Sequence, residues 1–211
     1  AESSHHLRTP LTGVRLRLEG IEDTSDDPRV QDDARAAIAE VDRLNRRIEQ
    51  VLALARTDAG TAPLEPQNAS AIVEDRIDAA DGMFGEREVA LESSIARGIT
   101  VMAPAGTTSR IIDELLGNAL QYARTTVEVS LAASDGMAVL TVGDDGAGLP
   151  PDQRDRIFQR FARGTQSVPG GSGLGLALVR ESVVALGGSA TADQSPLGGL
   201  DVTVTIPLAR P

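Results

Sequence analysis

The sequence predicts an α-helical hairpin that pairs with a second copy into a four-helix bundle, followed by an α/β two-layer sandwich with a mainly antiparallel sheet. Three observations predict it. Apolar residues in the first sixty positions recur at alternating steps of four and three. Further on, helical patterns give way to runs that alternate apolar and polar residues, as half-buried strands do. Between the two lies "TDAGTAPLEPQN", rich in Gly, Pro, Thr and Ala, which reads as a linker.

The first helix carries Leu7, Leu11, Val14, Leu18 and Ile21 in its seam, and the second carries Val30, Ala34, Ala37, Val41, Leu44, Ile48 and Val51. Such heptad spacing is the mark of coiled-coil-like packing. Asp26, Asp27 and Pro28 stand where the chain turns and the second helix starts. One hairpin with narrow apolar stripes buries too little surface to hold itself, whereas two hairpins form a stable bundle. A homodimer is therefore expected; a hairpin packed on its own C-terminal domain is the alternative. The expected divisions are a hairpin at 1–60, a linker at 61–68 and a second domain at 69–211.

In that second domain, "ASAIVEDRIDAA", "TTSRIIDELLGNALQYA" and "GLGLALVRESVVALGG" read as helices, the last ending at glycines. "TTVEVSLAAS", "MAVLTVGDD" and "GLDVTVTIPL" read as strands. Helices combined with adjacent strands imply helices laid on one face of the sheet. With aromatic residues at only 2%, the core must be built from Ala, Val, Leu and Ile.

Composition narrows the function. A net charge of −11 argues against binding nucleic acid or an anionic membrane through a broad basic face. The absence of Cys excludes disulfides, cysteine zinc sites and cysteine nucleophiles, and suits a reducing compartment. No run approaches the ~20 apolar residues that span a bilayer. The chain starts without an initiator Met or a signal peptide, and is expected to be a piece cut from something longer.

Four local features bear on chemistry. "ELLGNALQY" sets Glu114, Asn118 and Tyr122 four residues apart, on one helix face. That face suits Mg2+, which takes carboxylate and carboxamide oxygens alongside phosphate; taken alone, a solvated polar face is the plainer reading. "GDDGAGLP" follows a strand, with Gly146 and Gly148 letting backbone approach a flat ligand and Asp144 able to accept from an exocyclic amine such as adenine's. By itself it is also an ordinary acidic turn. "GGSGLGLALV" opens a helix, where the amides around Gly171, Gly173, Leu174, Gly175 and Leu176 favour phosphate, though it is neither a P-loop nor a Rossmann fingerprint. In "RIFQRFARGTQSVPGGSG", Phe158 and Phe161 are expected on a helical turn that clips a flexible lid to the body, with Arg160 and Arg163 aimed at phosphates. Core packing and solvated arginines are the plainer reading.

In this order and spacing, the Asn-bearing helix, the DxGxG turn, the FxxF segment and the GxGLGL helix resemble the ATP-binding domain of sensor histidine kinases, and more widely the GHKL-type ATPases. Preceded by "SHHLRTPLTG" on a heptad-patterned hairpin, the chain resembles the whole catalytic core of a two-component histidine kinase, over nearly its full length. The resemblance implies the GHKL fold, ATP and Mg2+ as ligands, a homodimer, and a response-regulator receiver domain as partner. It implies a parent protein anchored in the membrane as a sensor.

The resemblance implies that His5 is the phosphoacceptor, in a pattern that runs on through Leu7, Arg8, Thr9 and Pro10. A neutral imidazole is nucleophilic near pH 7, because its unperturbed pKa is ~6.5. Pro10 is expected to bend or loosen the helix nearby. It further implies Asn118 and Glu114 on the metal, Asp144 on adenine, Tyr122 with Arg160 or Arg163 at the phosphates, and Thr9 positioning water when the regulator is dephosphorylated.

Three positions depart from the family pattern. His6 stands where an acid that takes the proton of His5 is usual. Gln121 replaces a phosphate-contacting Lys, and Glu114 replaces a first Asn. A Glu at that spacing activates water in ATP-hydrolysing GHKL relatives, so an ATPase or serine kinase is one alternative. A nucleotide-binding dimerisation scaffold without turnover is another.

Overall fold

The computed structural model describes residues 2–25, 27–38, 40–41, 62–162 and 173–209, with the side chains of residues 2–9 outside the description. The chain divides into two units, Ala1–Ala59 and Gly60–Pro211.

In the first unit, helix α1 covers Glu2–Thr24. Pro10 lies inside it without ending it; what is lost is the one N–H that the carbonyl of residue 6 would have received. The helix closes with the Thr24 hydroxyl on the Gly20 carbonyl at 2.6 Å. Asp27 then caps helix α2, which is helical at 28–38 and 40–41. Its carboxylate accepts from the Arg29 N–H at 2.9 Å, and Pro28 takes the first helical position, where no N–H is needed. Arg35 of α2 reaches Glu22 of α1 and Asp32 of its own helix, both at 2.8 Å. The seam residues Val14, Ile21 and Val30 stay 44%, 44% and 38% exposed on a single chain, which leaves an apolar stripe uncovered.

The second unit runs β1 (Glu65–Asn68), α3 (Ala69–Glu86), β2 (Ala90–Ile95), β3 (Thr100–Ala103), α4 (Thr107–Tyr122), β4 (Thr126–Ser134) and β5 (Met137–Asp144). It continues through α5 (Pro151–Arg154), a 3-10 turn at Arg156–Phe158, α6 (Gly175–Ala185), β6 (Ser189–Gln194) and β7 (Leu200–Pro207). Residues 65–68, assigned to the linker on sequence, form β1 instead, pairing antiparallel with β3. The main sheet has the order β2-β4-β5-β7-β6, and among its pairings only β2 with β4 is parallel.

Alternation decides which face is buried. Val127, Val129 and Leu131 of β4, Leu140 and Val142 of β5, and Val202, Val204 and Ile206 of β7 point inward. They meet Val73 and Phe84 of α3, Ile112 and Leu115 of α4, and Val183 of α6 in one aliphatic core. Phe84 and Phe158 are its aromatic members. The outer face is polar. One register row there reads Glu92, Glu128, Gly143, Asp201 and Asp193 across all five strands. Among the described residues no helix is long and apolar enough to cross a membrane.

Two buried polar residues fix the start of the layer. Gln67 of β1 donates to the carbonyls of Ala103 and Pro104 and accepts from the Thr108 hydroxyl at 2.5 Å, joining β1 to the first turn of α4. The Ser70 hydroxyl donates to the Ala96 carbonyl at 2.7 Å and accepts from the Ile99 N–H at 3.0 Å. The helix α4 that bears the candidate site is thereby anchored at its N-terminus.

Candidate functional site

Helix α4 is strongly amphipathic by composition. Ile111, Ile112, Leu115, Leu116 and Ala119 are buried, while Glu114, Asn118 and Tyr122 share an adjoining half-buried strip. A polar strip beside a core face lies within reach of a ligand without being lost to solvent.

Asp144 ends β5 and is only 2% exposed. Its Oδ1 accepts from the N–H of Gly146 at 2.8 Å and of Leu200 at 3.3 Å, and its carbonyl accepts from the Gly199 N–H at 3.1 Å. Both side-chain donors converge on one oxygen, so Oδ2 remains the edge that a ligand's donor would meet. Burial pushes the Asp144 carboxyl above its usual range, the two backbone donors pull it back, and the neighbouring Asp145 charge pushes it up again.

Glycines sit where backbone must come close. A β-carbon on Gly146 would overlap the Tyr122 carbonyl, and one on Gly199 would overlap the Asp144 carboxylate. Gly148 has φ +63° and stacks against the Gly199 carbonyl. The turn after β5 is therefore pressed between the end of α4 and the start of β7. Gly199, Leu200 and Thr125 belong to this assembly and carry no motif of their own, and Asp145 joins them from the "GDDGAGLP" turn. The only signal for the first two is the glycine pair in "SPLGGL".

The third wall is α6. Leu174 is its buried N-cap, and Gly175 and Leu176 open the helix, where backbone amides give a partial positive charge. The Glu114 carboxylate lies directly against Gly175, so closely that a β-carbon there would overlap it. The Leu176 side chain packs against the core, so only its backbone amide can serve a phosphate.

The FxxF segment departs from expectation. Phe158 is buried on a 3-10 turn, with the Arg180 guanidinium 5.4 Å above its ring. Phe161 is instead 73% exposed with φ +63°, so only the first phenylalanine clips the segment to the body. The Phe161 N–H donates to the Gly173 carbonyl at 2.8 Å, which ties residue 161 to the residue two before α6. Arg160 binds Glu181 of α6 at 2.8 Å, so its guanidinium is directed to α6. Arg163 and Gly171 lie outside the described residues, as do the side chains of His5, His6, Arg8 and Thr9, whose helical backbone alone is described. A depression of about 330 Å3 along α5 and β6, lined by Pro151, Arg154 and Asp193, includes none of the site residues.

Glu114 of α4 meets Gly175 of α6, and Gly146 of the turn after Asp144 meets the Tyr122 carbonyl at the end of α4, so the three segments belong to one unit, with Asn118 on the half-buried strip of α4 between Glu114 and Tyr122. That combination suits a nucleotide with a hard cation. Among the described residues no group of three or more His, Cys, Asp or Glu could hold a metal by itself.

Comparison with known proteins matches two family models. Residues 1–60 match the family model of the His Kinase A (phospho-acceptor) domain, and residues 105–210 match that of the histidine kinase-, DNA gyrase B- and HSP90-like ATPase. The signal transduction histidine-protein kinase AfsQ2 of Streptomyces coelicolor is 33% identical over 98% of this chain and 41% of its own length. The sensor protein RstB of Escherichia coli is 34% identical over 97% of this chain and 47% of its own length. The chain spans less than half the length of these curated relatives. The crystal structure of full-length ShkA in complex with AMPPNP superposes with a TM-score of 0.79 at 26% identity, over 100% of this chain and 46% of that one.

Proposed function

The chain belongs to the histidine kinases of the GHKL ATPase superfamily, and from that premise we propose that it phosphorylates His5 with ATP and passes the phosphoryl group to an aspartate in the receiver domain of a response regulator. The observation that carries the reading is the buried Asp144 carboxylate, held by Gly146 and Leu200, beside an α4 strip of Glu114, Asn118 and Tyr122.

In this reading Asp144 accepts the exocyclic amine of adenine. Gly148 and Gly146 let the base lie flat on the turn, and Tyr122 borders the phosphates. Gly171, Gly173, Leu174, Gly175 and Leu176 offer amides to those phosphates, with Arg160 released from Glu181 or Arg163 adding charge. Asn118 and Glu114 would hold Mg2+, which would supply charge neutralisation at the phosphates. A ring nitrogen of His5 attacks the γ-phosphorus in line; the N–P bond forms, the bond to the bridging oxygen breaks, and ADP leaves. Catalysis rests on positioning and charge neutralisation.

His6 takes the proton from the other His5 nitrogen, and can do so only while neutral. The rate therefore falls as pH drops below about 6.5. Arg8 follows in the same motif. Thr9 positions water when the chain works in reverse, as a phosphatase of the phosphorylated regulator. The hairpin forms a homodimer, and the parent protein is a membrane-anchored sensor with this piece in the cytoplasm.

Incubation with Mg2+ and γ-labelled ATP, followed by mapping, tests the proposal. The label should be acid-labile, should be lost in His5→Asn and should persist at a reduced rate in His6→Asn; the reverse pattern moves the acceptor by one residue. His6→Glu should raise the rate, most strongly below about pH 6.5. Glu114, four residues before Asn118, favours one second reading, ATP hydrolysis. Released inorganic phosphate without labelled protein, lost in Glu114→Gln, would select it.

A further inference from the structure

Asp145 directly follows Asp144, yet its carboxylate faces a different partner. Oδ1 accepts from the N–H of Arg124 at 2.7 Å, and Oδ2 accepts from the N–H of Thr125 at 3.0 Å and its hydroxyl at 2.6 Å. The Asp145 N–H donates to the Thr126 carbonyl at 3.2 Å. These donors are the residues by which the chain leaves α4 and enters β4. At Ala123 the backbone already turns extended, with ψ 151°. On the next residue of the turn, Gly146 packs so tightly on the Tyr122 carbonyl that no side chain fits. Two consecutive residues after Asp144 therefore grip the C-terminal end of the helix that carries Asn118 and Tyr122.

We propose that Asp145 is a positioning residue that sets the spacing between Asp144 and the polar strip of α4, so that one nucleotide is held at its base and its phosphates together. The inference rests on the nucleotide reading of Asp144 and Asn118 given above. Three donors converge on this side chain, which an anion satisfies fully. Although burial would raise it, the Thr125 hydroxyl and the Thr125, Arg124 and Thr126 amides hold the Asp145 carboxyl well below the usual carboxylate range, so the clamp survives mild acid. Arg124 and Thr125 are exposed, so water replaces the lost acceptor when the clamp is removed and the strand core stays intact. What changes is the placement of α4's end.

The test separates the two ends of the ligand. The full chain is titrated with adenosine, which meets only the base turn, and with Mg2+ plus a non-hydrolysable ATP analogue, which spans turn and helix. Asp145→Ala should weaken the triphosphate analogue about tenfold, the scale of losing hydrogen bonds to a charged acceptor, while adenosine stays within about twofold. Asp145→Asn keeps an acceptor for the amides, and its NH2 can donate to the Thr125 hydroxyl, so it should recover most of the loss. Thr125→Val, which removes one donor, should fall between, and it supplies the answer if Asp145→Ala fails to fold. Unchanged analogue affinity in Asp145→Ala, or equal losses for both ligands, overturns the inference. A wild-type chain that binds neither ligand overturns the nucleotide reading itself.

Discussion

The backbone N–H of Leu200 points at the Asp144 carboxylate from 3.3 Å away, across a sequence separation of 56 residues. The Gly199 N–H joins it on the Asp144 carbonyl at 3.1 Å. The candidate base-reading carboxylate is therefore oriented by the loop before β7, a segment far from its own motif. That arrangement governs how the site should respond to substitution.

Gly199→Ala should damage the site from outside the DxGxG turn. The added methyl overlaps the Asp144 carboxylate, and overpacking of this kind costs about 1–3 kcal/mol. The unfolding midpoint should drop by several degrees and affinity for Mg2+ and ATP should fall with it. Titration of a variant that retains wild-type affinity would show that Asp144 does not depend on this contact.

Gly175 and Glu114 should be energetically coupled. Gly175→Ala sets a methyl against the Glu114 carboxylate, the outer end of a flexible side chain, so it should displace that carboxylate at small cost in the wild-type chain and at none in Glu114→Ala. Chemical denaturation of the single and double variants should give a coupling near the low end, about 0.5 kcal/mol, of the range for residues in contact.

The acidic row on the outer face predicts a pH signature. Burial, and then the charges of Glu128, Asp144 and Asp193, push the Asp201 carboxyl above its ordinary value. A carboxyl raised in the folded state favours folding below its unfolded pKa of about 3.8, and that advantage is lost as pH rises through the folded value. Asp201→Asn should therefore raise the unfolding midpoint at pH 7 and leave it unchanged near pH 3. An equal shift at both values would mean that the charge is not the cause.

Ile21→Glu should turn a dimer into monomers. Ile21 is 44% exposed on the single hairpin and lies in the apolar seam with Val14. Burying an isoleucine is worth roughly 1.5–3 kcal/mol, and a symmetric dimer has two. Light scattering at micromolar protein should report half the wild-type mass; an unchanged mass would place the interface elsewhere.

Elements with a strong period were legible in the sequence. Helices α3, α4 and α6 and strands β4, β5 and β7 all carry an apolar face against the core, and that face is written in the spacing of their residues. Strands β1, β2, β3 and β6 were not recognised, and each lies at an edge or in the small ribbon. β2 alternates poorly because most of its residues stay exposed, and β6 is short and polar. β1 carries Pro66, a residue suited to a position with a free side, which made "LEPQN" read as a linker. Phe161 failed as a second anchor because its left-handed backbone turns it outward to solvent, which its resemblance in spacing to Phe158 could not reveal.

Sequence by itself determined the candidates for chemistry: the paired histidines ahead of "LRTPL", the carboxylate and carboxamide one helical turn apart at Glu114 and Asn118, and the acid–glycine turn at Asp144. These are local patterns, carried by neighbours along one chain segment. Only the tertiary structure decided what holds them in register: Leu200 on Asp144, Asp145 on Arg124 and Thr125, Gly146 beneath Tyr122, Glu114 on Gly175. The reason is physical. A hydrogen bond or close approach between distant segments leaves no period in either one, and arises only when the sheet and its helices bring their ends together.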